Sequence, residues 1–219
     1  MPVPRNSNIT TGLAFAASAA SVASHAVHYQ PFIYIFKPLA AVFLFLLALY
    51  SWARPKQPYA LWISIGLFFS LIGDVLLIRP DKFFLLGLAA FLLTHIAYLI
   101  AFARDAKLLP RPFVLVYFLV AVIAYTLLVP KLPVPLKFPV AIYSLLLSSM
   151  AAQGMIRFSI LRTMNAKLAA IGAIFFMLSD FLLAFDRFHT TLPIASVLVL
   201  IPYYIAQLLI ALSTVPPKT

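Results

Sequence analysis

Eight apolar runs of about 20 residues, cut by short gaps of proline and charge, leave this chain little choice of fold. The runs fall at about 9–28, 32–52, 59–78, 83–103, 111–129, 137–156, 167–186 and 193–214. At ~1.5 Å rise per residue, each is long enough to cross the ~30 Å hydrocarbon core of a bilayer as a helix. The gaps, such as "RPKQP", "RPDK", "RDAKLLPRP", "PKLPVPLK" and "DRFHTTLP", have no room for an extramembrane domain. The fold expected is all-α: a polytopic transmembrane bundle of eight helices, with residues 1–219 forming a single integral membrane domain. Composition agrees, at 64% apolar and 10% charged. A soluble domain has roughly half its residues apolar and a quarter charged.

The net charge of +11 would suggest nucleic acid in a soluble protein. Here the Lys and Arg residues sit in the gaps, where they orient the chain and meet anionic headgroups, so no nucleic-acid partner is expected. Ten of them fall on the side of the N-terminus and six on the other. Both termini are therefore predicted to be cytoplasmic, in a multi-pass protein of a bacterial inner (plasma) membrane. Odd-numbered helices then run outward. Arg5 and the small residues of "AASAASVASHA" faintly resemble a cleavable signal, but the apolar part is weak. Pro38 and Pro202 fall inside spans, and Pro202 is expected to free a carbonyl one turn earlier and bend the eighth helix. Cysteine and glutamate are absent, so every acid is an Asp: 74, 81, 105, 180 and 186.

Two of these acids interrupt apolar runs, Asp74 in "FFSLIGDVLLI" and Asp180 in "FFMLSDFLLAF". They lie 106 residues apart, and the same offset pairs Gly66 with Gly172, Phe69 with Phe175, Leu77 with Leu183 and Tyr98 with Tyr204. It sets Lys37 on Tyr143. A four-helix unit repeated once accounts for this, with halves at about 9–103 and 111–214. Four is even, so a 4+4 repeat is parallel, its axis along the membrane normal. Counting residues from the outer helix ends puts Asp74, Asp180, Lys37 and Tyr143 at depths of ~6, ~9, ~8 and ~9 Å. Four polar groups from four helices would then share one level. Gly66, Ser70 and Gly73 lie on or beside the face of Asp74 and point to close helix packing there.

A charge at mid-bilayer costs roughly 2.5–3.5 kcal/mol, and less near the interface, so such groups face the bundle interior. One reading is structural: each Asp caps a neighbouring helix or pairs with Lys37. The other is a shared acid–base site. Two carboxylates in a poorly solvated cavity do not both ionise easily, and Lys37 favours charge on one of them. That divides them into a proton donor and a charged partner, without saying which is which. Tyr143 is placed to hold a substrate oxygen or a water.

"FKPLA", "SLIGDVLLI", "FFMLSDFLLAFDRF" and "PYYIAQLLIALS" together resemble the YhhN family of eight-span membrane proteins, whose animal relatives are lysoplasmalogenases. The resemblance implies hydrolysis of the vinyl ether bond of a lysoplasmalogen, a lysophospholipid, to a fatty aldehyde and a glycerophospho-alcohol. The family's polar positions would fall on Lys37, Asp74, Tyr143 and Asp180, with Asp74 and Asp180 catalytic and Lys37 and Tyr143 binding substrate. The chemistry suits two carboxyl groups: one protonates the vinyl β-carbon, and the other stabilises the oxocarbenium ion and activates water. No metal, cofactor or nucleophilic Ser is required.

The remaining polar residues divide more evenly. Tyr98, Tyr203, Tyr204 and Gln207 are candidates for a polar floor to the substrate cavity, and interhelical packing explains them equally well. His95 counts ~18 Å deep, about 12 Å below Asp74, and reads as a buried His bonded to a neighbouring helix. His25 and His28 could line an entrance. Arg79, Lys82, Arg187 and His189 could attract phosphate, but read more readily as interfacial anchors. Asp81, Asp105 and Asp186 are expected to pair with Lys or Arg close by in sequence. There is no G-x-S-x-G elbow, P-loop or H-E-x-x-H. Two functions compete with hydrolysis. A proton-coupled membrane transporter would also use intramembrane acids and a bent helix, and a lipid-binding protein would bind without turnover.

Overall fold

The computed structural model describes residues 5–52, 57–106 and 111–215. Arg54, Lys56, Lys107 and Lys218, which entered the charge tally, lie outside the described residues. Eight α-helices and no strand occur among the described residues: α1 (Arg5–Ala26), α2 (Gln30–Trp52), α3 (Pro58–Leu76), α4 (Pro80–Asp105), α5 (Val114–Leu128), α6 (Val134–Leu161), α7 (Met164–Phe188) and α8 (Ala195–Leu212).

The gaps place the helix starts for identifiable reasons. Pro58 and Pro80 open α3 and α4, where the missing N–H costs nothing and φ is already set. Thr163 caps α7 through Oγ1, which accepts from Ala166 N at 3.3 Å. Six helices are long and apolar enough to cross a membrane, as expected of a multi-pass integral membrane protein. The other two of the eight expected helices are less typical spans. α1 is rich in Ala and Ser. α5 has only 15 residues, about 22 Å of helix, because residues 112, 113, 129 and 130 turn instead of continuing it.

Consecutive helices pack in sequence from α1 to α4 and from α5 to α8. α4 joins the halves by packing on α6, and α8 closes the bundle against α1, α2 and α3. α5 stands outside this ring and, among the described helices, packs on α6 and α7. The core is built from small residues and aromatics, with Ala40, Ala101, Ala151, Ala169 and Ala173 buried beside Tyr98, Phe102 and Phe176. Large apolar side chains such as Phe68, Leu115 and Leu145 point outward, the inverse of a water-soluble protein.

The close packing expected on α3 is present. Gly66, Ser70, Gly73 and Asp74 are all buried, with Gly66 against Tyr98 of α4 and Gly73 against Phe91. The repeat partner of Gly66, Gly172, serves α7 in the same way. A Cβ there would sit 2.9 Å from the Ala206 carbonyl of α8 and 2.8 Å from Ile210. Because backbone cannot give as a side-chain tip can, Gly172→Val is expected to force α7 and α8 apart. The cost is about 1–3 kcal/mol, read as a lower melting temperature in detergent; an unchanged melt would refute it.

α8 continues through Pro202 as a single helix. Ser179 Oγ donates to Val199 O at 3.0 Å, tying α7 to α8 one residue from Asp180. Other relations bear on the 106-residue offset. Lys37 meets Asp74 across α2 and α3, and Tyr143 meets Asp180 across α6 and α7. The packing of α4 on α6 has its counterpart in α8 on α2, whereas the contact of α1 with α8 has none between α5 and α4.

Candidate active site

Asp74 sits at the C-terminal end of α3 with every oxygen engaged. Lys37, buried in α2, places Nζ 3.7 Å from Oδ1. Tyr203 of α8 donates its hydroxyl to Oδ2 at 2.5 Å. Behind Tyr203 runs a chain of further donors. Ser70 and Tyr203 hydroxyls lie 2.7 Å apart, and since Tyr203 gives its proton to Asp74, Ser70 donates to Tyr203. Gln207 Nε2 donates to Ser70 Oγ, and Gln207 Oε1 accepts from Tyr98 Oη at 2.6 Å. The protons from Gln207 through Ser70 to Tyr203 thus all point toward Asp74, an arrangement that suits a buried anion.

Asp180 of α7 is furnished differently. Its Oδ2 accepts from Tyr143 Oη of α6 at 2.6 Å. The other close polar group is His95 of α4, with Nε2 3.5 Å from the same oxygen. His95 is fully buried, edge-on to Tyr143 and Phe176, and neither ring nitrogen has a hydrogen-bond partner among the described residues. The contact with Asp180 is therefore one of charge and proximity, without hydrogen-bond alignment. No Lys or Arg pairs with Asp180 among the described residues.

Asp74 and Asp180 line one cavity of about 300 Å³, together with Lys37 and Tyr203. Its walls lie mainly toward one end of the bundle and reach mid-helix at Phe91 of α4 and Tyr203 of α8. They are the C-terminal ends of α3 and α7, the N-terminal parts of α2, α4 and α8, and the turn after α1. His25, His28, Asp186 and Arg187 belong to the same wall. Tyr143 does not line this cavity; it faces a second, apolar one that Asp180 also borders.

The other candidate binding residues stand behind the cavity wall. Tyr98 and Gln207 are buried beneath it and act on Asp74 only through Ser70 and Tyr203. Tyr204 turns away and donates to Ser21 of α1 at 2.7 Å. They support the site without touching its space. Of the basic residues weighed as phosphate anchors, Arg187 reaches the cavity, while Arg79 bonds to Tyr34 at 2.9 Å and His189 stacks on Phe185. Two of the acids expected to pair locally have other partners. Asp105 binds Arg157, 52 residues away, at 2.9 Å, and Asp186 accepts from the backbone N–H of Leu192 at 2.8 Å. No group of three His or Asp side chains able to hold a metal ion occurs among the described residues.

His95 is the residue that sequence reasoning set aside and the structure brings to Asp180. The depth count treated all helices as upright rods starting at the membrane edge. α4 instead breaks at Phe83 (φ −122°, ψ 16°), and α7 continues to Phe188, so Asp180 lies eight residues from its end instead of six. The longer α7 sets Asp180 deeper and narrows the apparent gap in depth.

Comparisons with known proteins agree with this site's setting. The family model described as "YhhN family" matches residues 32–214. Lysoplasmalogenase TMEM86A of Homo sapiens is 34% identical over 185 residues, covering 83% of this chain and 76% of that protein. Lysoplasmalogenase TMEM86B of Rattus norvegicus is 35% identical over 168 residues, covering 76% and 67%. A lysoplasmalogenase homolog of Dictyostelium discoideum is 40% identical over 55 residues, covering 24% of this chain and 18% of that protein. No solved structure matches. With the match running from α2 to the end of α8 and taking in both Asp74 and Asp180, this chain belongs to the YhhN family.

Proposed function

We propose that this protein is an intramembrane hydrolase that cleaves the vinyl ether bond of lysoplasmalogens by Asp/Asp acid–base catalysis. The observation that carries the reading is the convergence of Asp74 and Asp180 on one cavity near the end of the bundle. The names of the relatives supply the substrate class.

A protonated carboxyl gives its proton to the β-carbon of the vinyl ether, and the alkene π pair forms the new C–H bond. The α-carbon and ether oxygen then share the positive charge as an oxocarbenium ion. The second, ionised carboxylate faces that charge and takes a proton from water as the water oxygen bonds to the α-carbon. The hemiacetal collapses when this proton passes to the glycerol oxygen and the hemiacetal O–H proton returns to the first carboxyl. Aldehyde and glycerophospho-alcohol leave, one water is consumed, and both Asp residues are restored. The unequal surroundings of the two acids support such a division of labour.

A shared site also fits a 4+4 duplication, which the Lys37–Asp74 and Tyr143–Asp180 pairs support, in a membrane protein with both termini cytoplasmic. The transporter alternative is less well supported. The carboxylate cavity lies mainly toward one end of the bundle, reaching mid-helix at Phe91 and Tyr203, and Tyr98, Gln207 and Ser70 fill the space beneath it.

The test is direct. Purified protein in detergent or nanodiscs is expected to release long-chain aldehyde from lysoplasmalogens, detected by mass spectrometry, and none from ordinary acyl lysophospholipids. Absence of aldehyde across choline and ethanolamine headgroups would end the reading. Substrate counterflow in proteoliposomes without aldehyde would favour a carrier.

A further inference from the structure

The carboxylate cavity is not the only space that Asp180 borders. A larger cavity of about 440 Å³ lies between α5, α6 and α7, with the start of α4 at its edge. Its lining is almost wholly hydrocarbon, from Val120, Ala121, Leu147, Met177 and their neighbours. Its volume falls in the ~300–1,000 Å³ range of small-molecule sites. Three residues line both cavities: Phe84, Asp180 and Leu183. Asp180 thus stands at the boundary between a polar chamber and an apolar one.

We propose that the apolar cavity between α5, α6 and α7 is the subsite for the alkenyl chain, and that Asp180 at its edge is the acid that protonates the vinyl β-carbon. This rests on the vinyl ether reading above. The argument is one of polarity and order along the substrate. A lysoplasmalogen has a charged headgroup, then glycerol and the ether oxygen, then the α-carbon, the β-carbon and the chain. Laid across the two chambers, its headgroup occupies the cavity walled by His25, His28 and Arg187, and its chain the hydrocarbon one. The β-carbon is the reacting atom on the chain side. The acid bordering the chain side is Asp180, whereas Asp74 appears only in the polar cavity. The partners agree with that order. Asp74 is held by an ammonium and a chain of donors, while Asp180 takes a tyrosine hydroxyl and faces an unaligned imidazole. The first is furnished as the standing anion and the second as the group that carries the proton.

A saturated 1-O-hexadecyl lysolipid has no alkene to protonate, so it binds without being consumed. With a diazirine at the chain end, it is expected on irradiation to label α5 or α6 near Ala121, Leu147 or Ser148. Excess unlabelled hexadecyl lysolipid should abolish the label, and an octyl analogue, eight methylenes shorter, should compete more than about a hundredfold less well, since each methylene kept from apolar surroundings weakens binding several-fold. Label on α1, α2 or α3, or equal competition by both lengths, would overturn the subsite. A second probe with the diazirine on the second chain carbon is expected to mark Asp180; a mark on Asp74 instead would overturn the assignment of the acid. Ala121→Trp, which fills the cavity, should weaken competition by the hexadecyl lipid more than by the octyl one. Neither probe requires turnover. A wild-type protein that labels as expected but releases no aldehyde would refute the hydrolase reading and leave the lipid subsite standing.

Discussion

Asp180→Asn is expected to lower kcat for lysoplasmalogen hydrolysis by roughly a thousandfold while KM changes little. General acid–base groups contribute about 10²–10⁴ in rate. Asn keeps the shape and the carbonyl that Tyr143 bonds at 2.6 Å, but has no carboxyl proton to give. Asp74→Asn is expected to lose a comparable factor, because the cation then forms beside a neutral amide. The double variant should be little worse than either single one, as happens when two groups serve one step. Initial rates of aldehyde release, with melting temperatures recorded in parallel, separate chemistry from folding. Near wild-type turnover in both single variants would sink the two-carboxylate mechanism.

Lys37→Met is the change with the largest expected effect on stability. The side chains of Lys37 and Asp74 are 7% and 2% exposed, so removing the ammonium leaves a buried carboxylate whose remaining partner is Tyr203. Breaking a buried ion pair from one side costs about 3–5 kcal/mol. Methionine fills similar space, so the loss is one of charge and not of volume. The double change Lys37→Met with Asp74→Asn is expected to recover most of the melting temperature, since it removes the charge that was stranded, and yet to stay inactive. A Lys37→Met protein that melts like the wild type would show that the pair does not hold α2 on α3.

The parts of the site that were legible in the sequence are those where lipid makes composition informative. An ionisable residue in an apolar run has few places to go. Asp74, Asp180 and Lys37 could therefore be picked out individually, and the 106-residue offset drew attention to Tyr143 as the counterpart of Lys37. The same offset misled over the tyrosines. It drew attention to Tyr204 as the mate of Tyr98, but Tyr203 is the one that reaches Asp74, while Tyr204 bonds to Ser21. Offsets carry backbone position, and the side-chain direction on α8 depends on which face packs inward. His95 was lost because its depth was weighed against Asp74, whereas its neighbour is Asp180, set deeper by the longer α7. The apolar chamber could not be read at all. It exists because α5 is short and stands outside the ring, and the run at 111–129 looked like any other span.

The position of α5 has a consequence for how the protein meets its reactant. If the proposed chain subsite holds, a chamber walled by a peripheral helix would let the lipid arrive by lateral diffusion within the leaflet without crossing water. The rate would then follow the mole fraction of lysolipid among its neighbours. Diluting a fixed amount with inert phospholipid would slow turnover even with bulk concentration unchanged. The surrounding membrane, by its composition, becomes the variable that governs supply.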